Sequence, residues 1–162
     1  MIVPTLPQRK SPRLKGYDYS QSGAYFVTIC THNRQHIFGT ITDQQMHPTA
    51  AGEWATSCWV TIPDHYPDVE LDAFVIMPNH VHGILALTGE SSRFTTRLGR
   101  VVNAYKGAVT ARLRDQGLVD GHIWQSRYHD HIIRNEAGLN HIRSYIEYNP
   151  ARWSDDSLYS AG

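Results

Sequence analysis

Cysteine is scarce in this chain: only Cys30 and Cys58 are present, and they lie too far apart in sequence for a zinc knuckle or a closely spaced redox pair. They read as reduced, half-buried thiols with no chemistry of their own. No run of about 20 apolar residues occurs, which excludes a membrane-spanning helix. The opening residues, MIVPTLPQRK, lack a positively charged start followed by an apolar stretch. They do not resemble a signal peptide, and the expected location is therefore cytoplasmic. An excess of one charge is missing as well, since fifteen Lys and Arg balance fifteen Asp and Glu for a formal net charge of zero. That argues against a protein that coats nucleic acid by bulk electrostatics.

What is present is ordinary globular composition, with 41% apolar and 19% charged residues over 162 positions. A chain of this size buries enough surface for one compact domain. Charge placement says more than the total. Basic residues gather near the N-terminus (Arg9, Lys10, Arg13, Lys15) and again over Arg93, Arg97, Arg100, Lys106, Arg112 and Arg114. Asp64, Asp68, Glu70 and Asp72 form an acidic stretch between them. The basic stretches fit either a local phosphate track or solvated helix faces, and charge alone leaves both open.

Residues 1–18 carry three prolines and several charges without periodicity, so they read as a flexible arm preceding a single domain over 19–162. AYFVTICT from Ala24 to Thr31 is β-branched and aromatic, a strand. From Thr49 to Ile62, residues Ala51, Trp54, Ala55, Cys58 and Trp59 recur at helical spacing until Pro63 ends the helix. VELDAFVIM and HVHGILAL, separated only by Pro78 and Asn79, predict a hairpin. Leu98 to Gln116 places Val101, Val102, Tyr105, Val109 and Leu113 on one helical stripe. The latter part of Ile123 to Ile133 fits a fourth strand. Asn135 then fits an N-cap for a last helix, with Leu139, Ile142 and Ile146 as its apolar stripe and Pro150 as its end. The order β-α-β-β-α-β with a trailing helix predicts a ferredoxin-like α+β fold, an antiparallel sheet covered on one side by helices.

Within the hairpin, His80 and His82 alternate with Val81 and Gly83, so both imidazoles project from the same sheet face. Neutral imidazoles are good ligands for divalent metals, and a pair on a rigid strand is half of a metal site. Ten histidines make such a spacing arise by chance, and a second pair, His129 and His131, has it too. The first pair has apolar Val81 between its members and follows a tight turn; the second has Asp130 between and sits in a less regular stretch. Nine tyrosines are present, most of them expected to pack with the hydroxyl near water. In RSYIEYNP, Tyr145 and Asn149 lie four residues apart on one helical face, where a hydroxyl and an amide oxygen can approach one metal. Pro150 works against helical geometry at Asn149 and would distort that relation. A tyrosine attacks a phosphodiester when a metal polarises the phosphoryl oxygens; the residues name no base for its proton.

Taken together, GYDYSQSGAYFVTICT (Gly16 to Thr31), LDAFVIMPNHVHGILAL (Leu71 to Leu87), the helix holding Tyr105 and Lys106, IWQSRYHDHIIRN (Ile123 to Asn135) and IRSYIEYNP (Ile142 to Pro150) resemble the HUH single-tyrosine transposases of simple insertion sequences. Within that family the likeness is to the REP-associated tyrosine transposases. The resemblance implies His80 and His82 as paired metal ligands, Tyr145 as the nucleophile, and Asn149 completing the ligand set where other branches use glutamine. It implies Mg²⁺ or Mn²⁺, cleavage of single-stranded DNA to a 5′-phosphotyrosine and a free 3′-hydroxyl, and recognition of an imperfect DNA hairpin. It also points to Arg13, Lys15, Arg97, Arg100 and Lys106 as phosphate contacts, whereas Tyr17 and Tyr19 fit either base stacking or simple packing. Monomer and homodimer both remain open.

The competing reading is a binding module of the same strand order that stacks bases and performs no chemistry. It wants exposed strand aromatics where this chain has histidines and aliphatics. A third reading is a domesticated relative that processes genomic repeats without moving its own gene.

Overall fold

The computed structural model describes residues 23–88 and 94–159. Its main sheet uses β1 (Ala24–Cys30), β4 (Val69–Met77), β5 (His80–Leu87) and β6 (His129–Ile133), in the spatial order β4-β5-β1-β6. Every neighbouring pair is antiparallel. Hence β1 and β4 run parallel with β5 inserted between them, the split β-α-β arrangement of a ferredoxin-like fold.

The two-residue period of β1 gives each sheet face its own core. Tyr25, Val27 and Ile29, with their β5 partners Leu85, Gly83 and Val81, look toward α1 (Ala50–Val60) and α3 (Phe94–Asp115). Trp59 of α1 is completely buried there and lies over Gly83, where a Cβ would overlap the indole. Tyr105 of α3 meets the same indole edge-on at 5.1 Å and donates its hydroxyl proton to the Ala55 carbonyl at 2.9 Å. The stripe Val101, Val102, Tyr105, Val109 and Leu113 is buried, as the helical spacing predicts.

The opposite face carries Ala24, Phe26, Thr28 and Cys30, with Ile84, His82 and His80 across from the last three. Its aliphatic end is covered by α4 (Glu136–Glu147), whose Leu139, Ile142 and Ile146 pack on Ala24, Ile84, Ala86 and Ile133. The Asn135 side chain caps α4 by accepting from the Gly138 amide at 2.7 Å. Thus α1 and α3 share one side, and the trailing helix occupies the other.

Three features depart from the sequence reading. A separate hairpin of β2 (Gly39–Thr42) and β3 (Gln45–Pro48) precedes α1. Its turn holds Asp43 and Gln44 at positive φ (53° and 63°), a conformation usually signalled by Asn-Gly or Asp-Gly and absent from this pair's spelling. Pro63 ends α1 but also sits in the first turn of a short α2 (Ile62–His65). Strand β4 carries a bulge, because Leu71 faces Leu85 while Phe74 faces Gly83. The proposed arm over 1–18 lies outside the described residues. No described helix is long and apolar enough to cross a membrane.

A histidine pair and a tyrosine at one end of the sheet

Strand β5 begins immediately after the turn at Pro78 and Asn79, so its first and third residues are held by ladder bonds on both sides. His80 and His82 point to the α4 face, 0% and 3% exposed, with ring centroids 4.4 Å apart. Both Nδ1 atoms are occupied. His80 Nδ1 lies 2.7 Å from Asn79 Oδ1, while Asn79 Nδ2 donates to the Leu158 carbonyl at 2.9 Å. That second bond fixes the amide orientation, so Oδ1 accepts and His80 Nδ1 must carry the proton, leaving Nε2 with a free lone pair. His82 Nδ1 lies 2.9 Å from Thr28 Oγ1, which holds the ring in place; that hydroxyl can serve as donor or acceptor, so the contact orients the imidazole without assigning its proton.

Burial holds His80 down to about 4, against the upward pull of the Asp156 carboxylate. His82 is pushed well below the usual histidine value by burial and by His80. Both imidazoles are therefore neutral at pH 7, the form that ligates metal.

Tyr145 reaches the pair from α4. Its ring meets His82 at 5.4 Å and Phe26 edge-on at 6.0 Å, and the residue is 41% exposed, open to a ligand from solvent. Its phenol is raised above the usual tyrosine value, first by burial and then by Asp156, with the Asn149 amide acting in the opposite direction. Asn149 keeps helical geometry (φ −59°, ψ −44°) despite preceding Pro150, and its amide donates to the Ile146 carbonyl at 3.2 Å. Asn149 nevertheless lies past the end of α4, whose C-cap is Tyr148, and its backbone bond reaches three residues back instead of four; its side chain still acts on the Tyr145 phenol. Tyr148, the helix C-cap, is exposed.

A fourth group comes from the segment after α4. The 3-10 helix Pro150–Asp155 turns the chain back over the histidines, and Trp153 stacks on His80 with centroids 6.2 Å apart. Asp156 Oδ2 then lies 3.9 Å from His80 Nε2. Among the described residues, five buried side-chain nitrogen or oxygen atoms lack a hydrogen-bond partner. Four of them are His80 Nε2, His82 Nε2, Asn149 Oδ1 and Asp156 Oδ2; the fifth, Trp59 Nε1, is in the other core layer. Buried polar atoms are normally paired, so lone pairs converging without donors fit a cation. One ligating atom from each of His80, His82 and Asp156 falls within 4.8 Å of the others, and nitrogen with carboxylate oxygen is a donor set that divalent metals accept.

Sequence reading placed His80, His82, Tyr145 and Asn149 together, and they meet. It gave no sign of Asp156, because no spacing rule links one of two adjacent carboxylates in WSDDSLYS to a histidine pair in a strand far earlier in the chain. The basic residues of α3 belong to the layer across the sheet. Arg97 is bonded to the Asp68 carboxylate and the Thr88 carbonyl. Lys106 donates to the Gln125 carbonyl at 2.8 Å, and Arg100 is exposed. Arg13, Lys15, Tyr17 and Tyr19 lie outside the described residues. His129 and His131 pair with Thr28 and Phe26, which places them on the face of the histidine pair, but exposed on the outer strand. Cys30 is buried, Cys58 is partly buried, and both are free thiols.

The family model described as "Transposase IS200 like" matches residues 19–149. An uncharacterized Haemophilus influenzae protein is 38% identical, the alignment covering 93% of each chain. The Escherichia coli REP-associated tyrosine transposase is 28% identical over 83% of this chain and 70% of its own length. Among solved structures, a REP-associated tyrosine transposase bound to a REP hairpin shares the fold, with a TM-score of 0.57, 23% identity, and coverage of 81% of this chain and 68% of that one. The chain belongs to the IS200-like transposase family.

Proposed function

We propose that this transposase cuts and rejoins single-stranded DNA beside an imperfect hairpin, using Tyr145 as nucleophile next to a Mg²⁺ or Mn²⁺ held by His80, His82 and Asn149. The observation that carries the reading is the Tyr145 ring against His82, whose Nε2 is buried without a partner. When bound, the cation would supply Lewis-acid stabilisation of the phosphoryl oxygens.

The chain's own residues do the rest. Neutral imidazoles, locked by Asn79 and Thr28, present their lone pairs on one side of the sheet. The exposed side of Tyr145 lets a strand approach. The phenol oxygen attacks phosphorus, the bond to the 3′-oxygen breaks, the tyrosine proton passes to solvent, and the leaving oxygen takes one up as a 3′-hydroxyl. A 5′-phosphotyrosine results. Attack by a 3′-hydroxyl on that linkage restores Tyr145 and joins strands with no external energy source. A hairpin partner is supported by the relative whose solved structure holds one. Exposed Arg100 serves as a phosphate contact remote from cleavage, and Arg13 and Lys15, outside the described residues, are further phosphate contacts in this reading.

The test is a denaturing gel of the full chain with labelled hairpin-bearing single strands from its own gene flanks, with Mg²⁺ and with chelator. A covalent protein–DNA band that needs the metal supports the reading. Tight hairpin binding with no covalent band under any metal makes the protein a binding module instead.

A further inference from the structure

We propose that Asp156 is a further ligand of the same cation, an anionic one delivered by the segment that folds back after α4. The inference rests on the metal reading of the preceding subsection and adds to it a residue and a moving part.

The carboxylate is committed on one side only. Oδ1 accepts from the Leu158 amide at 2.8 Å, while Oδ2 has no partner although the side chain is only 2% exposed. A buried carboxylate oxygen without a donor is costly unless a cation compensates it. Its neighbour, His80 Nε2 at 3.9 Å, is too distant for a hydrogen bond. It is not too distant for a shared ion, because two atoms each about 2.1 Å from one centre can stand up to ~4.2 Å apart. The Asn79 bond, which leaves His80 Nε2 bare, is made by the same side chain that holds the Leu158 carbonyl. One amide therefore orients the imidazole and pins the chain two residues past Asp156.

Two neutral imidazoles and an amide oxygen put no negative charge on a dication, and Asp156 supplies one. A consequence is that ion binding and docking of residues 150–158 are one equilibrium. Trp153 over His80 and the Leu158 bond form the floor of the docked segment, and the carboxylate ties it to the ion.

The test uses Mn²⁺ alone and a readout other than catalysis. Free Mn²⁺ measured by electron paramagnetic resonance during titration of the wild-type chain, Asp156→Asn and His82→Ala gives the affinities, with circular dichroism as the check on folding. Asp156→Asn should bind at least about tenfold more weakly, and His82→Ala more weakly still. A second measurement needs no variant: saturating Mn²⁺ should slow trypsin cleavage after the exposed Arg152 several-fold. Wild-type affinity in Asp156→Asn with loss in His82→Ala removes Asp156 and leaves the histidine site intact. Cleavage after Arg152 that ignores saturating Mn²⁺ removes the coupling to the segment and with it the proposal. No Mn²⁺ binding by the wild-type chain defeats both this inference and the metal reading beneath it.

Discussion

Arg143 grips Asp72 at two points, Nε to Oδ1 at 2.9 Å and Nη2 to Oδ2 at 2.6 Å, and so joins α4 to strand β4. The bulge between Leu71 and Phe74 spans Asp72 and Ala73, and the Asp72 carboxylate is almost wholly buried. Arg143 is two residues before Tyr145, so this fork sets the placement of the helix that carries the phenol. Arg143→Ala leaves a buried carboxylate without its cation, supported only by the Ala73 amide, and should cost about 3 kcal/mol in denaturant unfolding. Arg143→Lys should recover only part of that, because an ammonium cannot reproduce the two parallel bonds. Equal stability in all three chains would show that α4 is placed without the fork.

Gly83 marks where a small change has a large effect. Nothing about its backbone demands glycine, but the Trp59 indole occupies the space a side chain would take. Gly83→Ala should lower stability by about 1–3 kcal/mol, read as a lower thermal midpoint. Pairing it with Trp59→Phe should recover part of the loss; no recovery would put the strain elsewhere.

Asn79 touches no proposed substrate but orients His80, a proposed ligand. Asn79→Ala should weaken Mn²⁺ binding about 10- to 100-fold with the fold retained, as loss of a ligand's hydrogen-bonded support does elsewhere. Unchanged affinity would mean that the strand ladder alone orients His80.

The cysteines give a prediction in pH. Burial raises the Cys30 thiol, against the downward pull of Arg34, and raises Cys58 against Arg112. A raised thiol has less thiolate at any given pH, so alkylation by iodoacetamide at pH 8 should be slow in the folded chain, slowest at Cys30. It should climb as pH rises and jump on denaturation. Fast labelling of Cys30 in the folded chain would contradict its burial.

Much of this was legible in the residues because short-range periodicity carried it. The two-residue period of HVH put both imidazoles on one face, and the stripe from Val101 to Leu113 buried as spaced. At Asn149 the local rule held in part: Pro150 disfavours helix before it, and α4 ends at Glu147 with Tyr148 as its cap, although Asn149 itself keeps helical angles and its backbone amide reaches Ile146 three residues back. What periodicity could not carry was the third dimension. Lys106 reads as a surface cation, but its ammonium is held by Gln125 across the sheet from the histidines. Asp156 has no pattern at all, since only the return of the chain through Trp153 and Leu158 brings it to His80. The β2–β3 hairpin was hidden because its turn uses Asp43 and Gln44 at positive φ instead of a glycine.

The central claim is that the phenol of Tyr145 is the atom that takes the phosphate. Reacting the chain with hairpin-bearing single-stranded DNA and Mg²⁺, digesting the covalent product with protease and nuclease, and sequencing the nucleotide-bearing peptide by mass spectrometry reads that atom directly. The modification should sit on Tyr145 and vanish in Tyr145→Phe with DNA binding retained. A nucleotide on Tyr148 or any other residue would contradict the account.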